Sequence, residues 1–120
     1  MIKRVTNYGG IMTISRDSPT YGPKAKSIDV SIKPIWNYVD GRYDWTMYLY
    51  FYDTKKRKWV SKGTVYSGYV TQSSPSYRQI PISKANKTGS YLVYCDVKTK
   101  GRNGKWYKGG LQTDKFIVRK

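Results

Sequence analysis

The chain has 120 residues, with 23 Lys and Arg against 7 acids, no His and one Cys, for a formal net charge of +16. Its length makes one domain, large enough to bury a core without a metal or disulfide framework. With no His and a lone Cys95, the chain cannot itself supply a Ser-His-Asp or Cys-His constellation, an internal disulfide or a multi-cysteine metal site.

The residue types favour strands. Every acid is Asp, there are three Leu and two Ala, and 13 Tyr and 4 Trp stand among many Thr, Val and Ile. Helix formers are scarce and strand formers abundant, so an almost purely β protein is expected.

Residues 1–10 read as a flexible basic N-terminus that breaks at Tyr8-Gly9-Gly10, with a single domain over 11–120. Met1 to Arg4 begins like a signal n-region, but no apolar h-region follows. Nor is any stretch long enough for a transmembrane helix. Ile11 to Ile14 is a short first strand, and 16–23 is a loop by its Pro and Gly. From Ser27 to Ile35 the residues alternate, with Ile28, Val30 and Ile32 inward and Pro34 ending regular pairing or marking an edge. Residues 37–42 form a turn around Asp40-Gly41, where Asp40 and Asp44 serve as turn and cap residues rather than as a catalytic carboxylate pair.

The longest aromatic run follows. Along 45–52, Trp45, Met47, Leu49 and Phe51 share one face, and Tyr48, Tyr50 and Tyr52 lie on the other. The run Lys55-Lys56-Arg57-Lys58 is then the tip of a hairpin between 45–52 and 59–66, with a bulge expected at Ser67-Gly68. Residues 72–75 form a loop, and Tyr77 to Ile82, carrying Pro81, is an edge strand. A turn over 83–89 contains one helical turn at 84–86. Along 90–99, Tyr91, Val93, Cys95 and Val97 face in, while Leu92, Tyr94, Asp96 and Lys98 face out. Residues 100–105 make a second hairpin tip around Asn103-Gly104, and Thr113 to Val118 closes the sheet.

About seven short strands between turn signals indicate a sandwich or a small barrel. Gly89-Ser90-Tyr91-Leu92-Val93-Tyr94-Cys95 resembles the pattern that opens strand F of immunoglobulin-like and fibronectin type III-like domains. The resemblance implies an antiparallel immunoglobulin-like β-sandwich over roughly 11–118. It also implies that the Tyr91 hydroxyl bonds back to the preceding turn. It carries over no functional residue, and the paired cysteines of true immunoglobulin domains are missing. A five-stranded OB-like barrel is the second reading.

In the sandwich, 45–52 and 90–99 are antiparallel neighbours. The 55–58 tip then shares one pole with 84–87, and the 100–105 tip lies at the other near Arg42. Four adjacent cations repel one another unless something anionic sits nearby. Lys55, Lys56, Arg57, Lys58 and Trp59 are therefore one set of candidate binding residues, and Lys100, Arg102, Lys105 and Trp106 a second. Tyr48, Tyr50, Tyr52 and Tyr94 form a third set. They are either a flat platform for stacking sugars or bases, or cross-strand packing alone. Cys95 reads as a small buried apolar residue.

The composition points to a non-catalytic, cofactor-free, monomeric binding protein for an anionic surface or polymer, such as a cell-wall polymer, an acidic lipid or an acidic polysaccharide. That role suits an exported, antimicrobial or adhesive protein. The alternatives are a cytoplasmic nucleic-acid-binding module and an accessory structural or interaction domain.

Overall fold

The computed structural model describes residues 5–7, 10–36, 42–71, 76–100 and 104–120. Among the described residues, ten strands run in chain order: β1 (Val5–Asn7), β2 (Gly10–Arg16), β3 (Thr20–Tyr21), β4 (Ser27–Trp36), β5 (Arg42–Asp53), β6 (Lys58–Thr71), β7 (Ser76–Pro81), β8 (Gly89–Lys100), β9 (Trp106–Gln112) and β10 (Phe116–Val118). They form two open sheets, β1-β2-β4-β7 and β3-β10-β8-β5-β6, with β9 also on β8. This is the immunoglobulin-like sandwich; neither sheet closes into the barrel of the second reading.

The period-two patterns become the facing layers of the core. Trp45, Met47 and Leu49 of β5 and Tyr91, Val93, Cys95 and Val97 of β8 are buried against Ile28, Val30 and Ile32 of β4, with Phe51 half-buried at the end of its row. Burying each large side chain contributes about 1.5–3 kcal/mol, which makes this interface the main source of stability. Leu92, expected to face out, does so but is only 7% exposed, because outer-face aromatic residues cover it.

β9 and β10 follow one another along a single edge of β8, pairing with Tyr94–Lys100 and Gly89–Tyr91 respectively. Thr113 bridges the gap between them. Its amide donates to the Val93 carbonyl at 2.9 Å, and its hydroxyl accepts from the Val93 amide at 3.1 Å. A side chain here replaces the missing ladder bond, so no buried backbone donor is stranded.

Three details depart from the sequence reading. Val5–Asn7 pairs with Gly10–Met12, so the first sheet begins inside the stretch read as a flexible N-terminus. Thr20–Tyr21, within the expected 16–23 loop, pairs parallel with Ile117–Val118. The irregularities of the β5–β6 hairpin lie opposite Tyr48, not at Ser67-Gly68. Gly63 takes φ +102°, a left-handed conformation that suits glycine, whereas Gly68 lets Trp45 approach its Cα closely.

Pro81 ends β7, the edge strand of its sheet. Among the described residues β4 pairs with β7 from Ser27 to Ile32, and a register shift lies opposite Pro34–Trp36 on the β2 side. The helical turn is a 3-10 turn at Ile82–Lys84, two residues earlier than expected, with Ala85 buried as its cap. Of the expected turn over 37–42, residues 37–41 lie outside the described residues and Arg42 begins β5; the loop over 72–75 also lies outside them.

The β6 edge is closed by β7. The Tyr66 hydroxyl donates to the Gln79 carbonyl at 2.6 Å, and Ser76 Oγ donates to the Tyr69 carbonyl at 3.1 Å. The Arg78 guanidinium lies 5.2 Å from the centre of the Trp45 ring. An inward-pointing arginine and a bulged partner strand both discourage pairing with another chain.

Candidate functional site

Strand direction decides which loops meet. β5 ends where β8 begins, with Phe51 opposite Tyr91. β10 ends beside them, with Val118 opposite Gly89. In the other sheet β4 begins where β7 ends, with Ser27 opposite Pro81. The Ile82 amide donates to the Lys26 carbonyl at 3.0 Å, and Lys120 Nζ donates to the Ile82 carbonyl at 3.3 Å. Four segments therefore crowd one pole.

That pole is cationic. The β5–β6 tip brings Lys55, Lys56, Arg57 and Lys58, the 82–88 segment brings Lys84 and Lys87, the 22–26 turn brings Lys24 and Lys26, and the chain end brings Arg119 and Lys120. All of these side chains are exposed. The sequence reading joined 55–58 to 84–87. It missed the pairs Lys24/Lys26 and Arg119/Lys120, which lie far apart in sequence and are brought together by the parallel β3–β10 pairing and by the bonds to Ile82.

Asp53 sits at the base of the tip and serves its geometry. Its Oδ1 accepts the backbone amides of Lys55 at 2.9 Å and Lys56 at 3.1 Å, so an Asp side chain folds the turn. The Lys56 amide is the largest cause that holds the Asp53 carboxyl below its ordinary range; the Lys55 amide and the charges of Lys56 and Lys87 add to it. Arg57 closes the loop at φ 56°.

The second tip stands apart. Lys100 ends β8 opposite Trp106, Lys105 is exposed, and Arg102 lies outside the described residues. Trp106 is 53% exposed, and Lys98 Nζ sits 5.4 Å over its ring. β8 spans twelve residues, so the two tips are about 36 Å apart at ~3.3 Å per residue. They cannot act as one local site.

The tyrosine face is not a flat platform. Tyr48, Tyr50, Tyr52 and Tyr94 do share the outer surface of the six-stranded sheet, and Tyr48 lies directly opposite Tyr94. Yet the Tyr50 and Tyr94 rings meet at 82° with centroids 6.1 Å apart, and Tyr52 meets Trp59 at 69° and 5.3 Å. Edge-to-face contacts are the favoured aromatic geometry and account for the cross-strand packing. Tyr94 also lies over Gly110, where an added Cβ would meet its hydroxyl. Burial is the largest cause that raises the Tyr94 phenol above its ordinary range, followed by the charge of Asp96.

Between these upright rings is a cleft of about 180 Å³, lined by Tyr50, Trp59, Leu92, Tyr94 and Gln112. Leu92 and Gln112 were not among the sequence candidates. Neither carries a local signal, because each matters only through its cross-strand neighbours.

Cys95 faces the core, and burial, then the charge of Asp96, pushes its thiol far above the ordinary range. Among the described residues, no group of three or more His, Cys, Asp or Glu could hold a metal ion. No helix among the described residues is long and apolar enough to cross a membrane.

Two open sheets, and a Tyr91 hydroxyl that donates to the Lys87 carbonyl of the preceding turn, define an immunoglobulin-like β-sandwich domain. Residues 3–119 match the model of the YqgA MG2 macroglobulin domain family, and the chain belongs to that family. No curated protein matches it.

Proposed function

We propose that this macroglobulin domain is a non-catalytic, monomeric interaction module whose cationic pole engages an anionic polymer or surface outside the cell. The observation that carries this reading is the convergence of four chain segments into one exposed cationic pole. Like charges crowded this closely raise the energy of the free protein, and an anionic partner relieves that repulsion. The single acid at the tip, Asp53, is occupied by backbone amides. Macroglobulin domains are often extracellular, which suits a surface partner.

The test is binding of an acidic polymer over a series of salt concentrations, using the chain and a variant with Lys55, Lys56, Arg57 and Lys58 replaced by Ser. The expected result is weaker binding and a shallower salt dependence in the variant. An unchanged salt dependence removes the pole from the site. Tighter binding of generic oligonucleotides than of acidic polysaccharide or anionic vesicles, at equal salt, favours the nucleic-acid alternative.

A further inference from the structure

The cleft beside the pole extends this reading and rests on it. We infer that the cleft between Tyr50, Trp59, Tyr94 and Gln112 holds one sugar ring of an acidic polysaccharide whose neighbouring acidic group reaches the 55–58 tip.

The dimensions and chemistry of the cleft support a sugar. Its volume is about 180 Å³, room for a single ring. The half-buried Trp59 ring, with the small remaining exposure of Leu92 beside it, offers apolar surface to the C–H face of a pyranose. The Gln112 amide and the Tyr50 phenol also line the cleft and can meet ring hydroxyls, while the Tyr94 hydroxyl lies over Gly110 and bonds Asp96, leaving its ring to wall the cleft. A continuous base-stacking track needs rings presented in a similar orientation. Here the ring pairs stand at 82° and 69°, which interrupts any such track. Membrane insertion needs a protruding indole, and Trp59 is half-buried with its ring against Tyr52.

Register fixes the distance to the cations. Tyr50 lies opposite Ser61, and Asp53 lies opposite Lys58. Those rows are three residues apart, about 10 Å along the strand. Lys58, paired with Asp53, lies on the opposite face of the sheet, so a short acidic saccharide that seats one ring in the cleft carries its carboxylate or sulfate past the strand end to the exposed Lys55, Lys56 and Arg57 of the tip.

The experiment compares oligogalacturonate, which has both ring and charge, with inorganic polyphosphate, which has charge alone, at matched salt. Trp59→Ala and Gln112→Ala are the variants, and the Trp59 indole N–H signal is followed by NMR. In the unmodified chain, oligogalacturonate is expected to shift that signal and polyphosphate to leave it in place. Trp59→Ala is expected to weaken oligogalacturonate binding about five- to tenfold, with polyphosphate binding unchanged. Gln112→Ala, which leaves the aromatic packing intact, is expected to weaken the same ligand alone. Equal losses for both ligands, no loss for either, or an equal Trp59 dependence for single-stranded DNA overturns the sugar site. If the unmodified chain binds neither polyanion, the cationic-pole reading fails first.

Discussion

The hydroxyl of Tyr91 donates to the carbonyl of Lys87 at 2.7 Å and accepts from the amide of the same residue at 3.1 Å. Tyr91 is fully buried beneath this contact and stacks beside Phe116, with centroids 6.2 Å apart. One core side chain thus holds the backbone of an exposed lysine in the cationic pole. The fold positions the candidate site through this bond, which ties the 82–88 segment down next to the tip at 55–58.

Replacing Tyr91 with Phe keeps the buried ring and removes both bonds. Lys87 is exposed, so its freed amide and carbonyl can turn to water, and the expected loss of stability is about 1 kcal/mol. A urea titration should show a lower midpoint at an unchanged slope. Hydrogen exchange should quicken at Lys87 and Thr88 and stay slow at Val93 and Cys95. A loss above ~3 kcal/mol would mean the hydroxyl supports the core itself.

Two glycines should respond differently to the same added methyl. At Gly68 a Cβ would lie 2.9 Å from the six-membered ring of Trp45 and 3.2 Å from Arg78 Nη2. Trp45 is 2% exposed and cannot move without disturbing the core, so Gly68→Ala should cost about 1–3 kcal/mol. At Gly110 the obstacle is the hydroxyl end of Tyr94, which can swing toward solvent. Gly110→Ala should cost under ~1 kcal/mol yet displace Tyr94 from the cleft. Thermal melts of the pair, with Tyr94 ring shifts by NMR, check both halves.

Much of this fold is legible in the sequence because its main strands bury one face. Alternation in 27–35, 45–52 and 90–99 reflects the one-sided burial that later fixes β4, β5 and β8. Thr20–Tyr21 leaves no such trace. Its pairing partner is almost a hundred residues away, and Pro19 and Gly22 around it read as loop. The bulge was misplaced because glycine serves two needs in β6: Gly63 supplies a left-handed φ, and Gly68 supplies space over Trp45. The tip at 55–58 is visible as a charge run. Lys24 with Lys26 and Arg119 with Lys120 are short pairs at distant places in the sequence and join the tip only when topology gathers them.

A binding pole should be separable from net charge. Replacing Lys33, Lys98, Lys105 and Lys108 with Ser removes the same charge as the tip variant but from outside the cationic pole. If the pole is the site, this control retains most of the affinity for an acidic polymer and most of its salt dependence. The tip variant should lose about tenfold or more at low salt. Equal losses in the two variants would mean that the protein binds through its overall field, with no local site.

The pH dependence of stability follows from which groups folding perturbs. No His is present, so stability should be nearly flat from about pH 5 to 8. On the acid side, the folded Asp53 pKa is lowered, so its contribution is present above the ordinary value of 3.8 and lost as pH falls through the folded value. On the alkaline side the shifts run upward. Burial raises Cys95 from 9.0, and burial is also the largest cause raising Tyr21, Tyr43, Tyr91 and Tyr94 from 10.0. Above those values the unfolded chain releases protons that the folded chain retains, which favours unfolding. Melting temperature should therefore begin to fall near pH 9 and fall faster above pH 10. In Cys95→Ala the first part of that decline should disappear while the steeper tyrosine-driven part remains. A melting temperature that stays level to pH 11 would show that these groups titrate alike in the folded and unfolded chain.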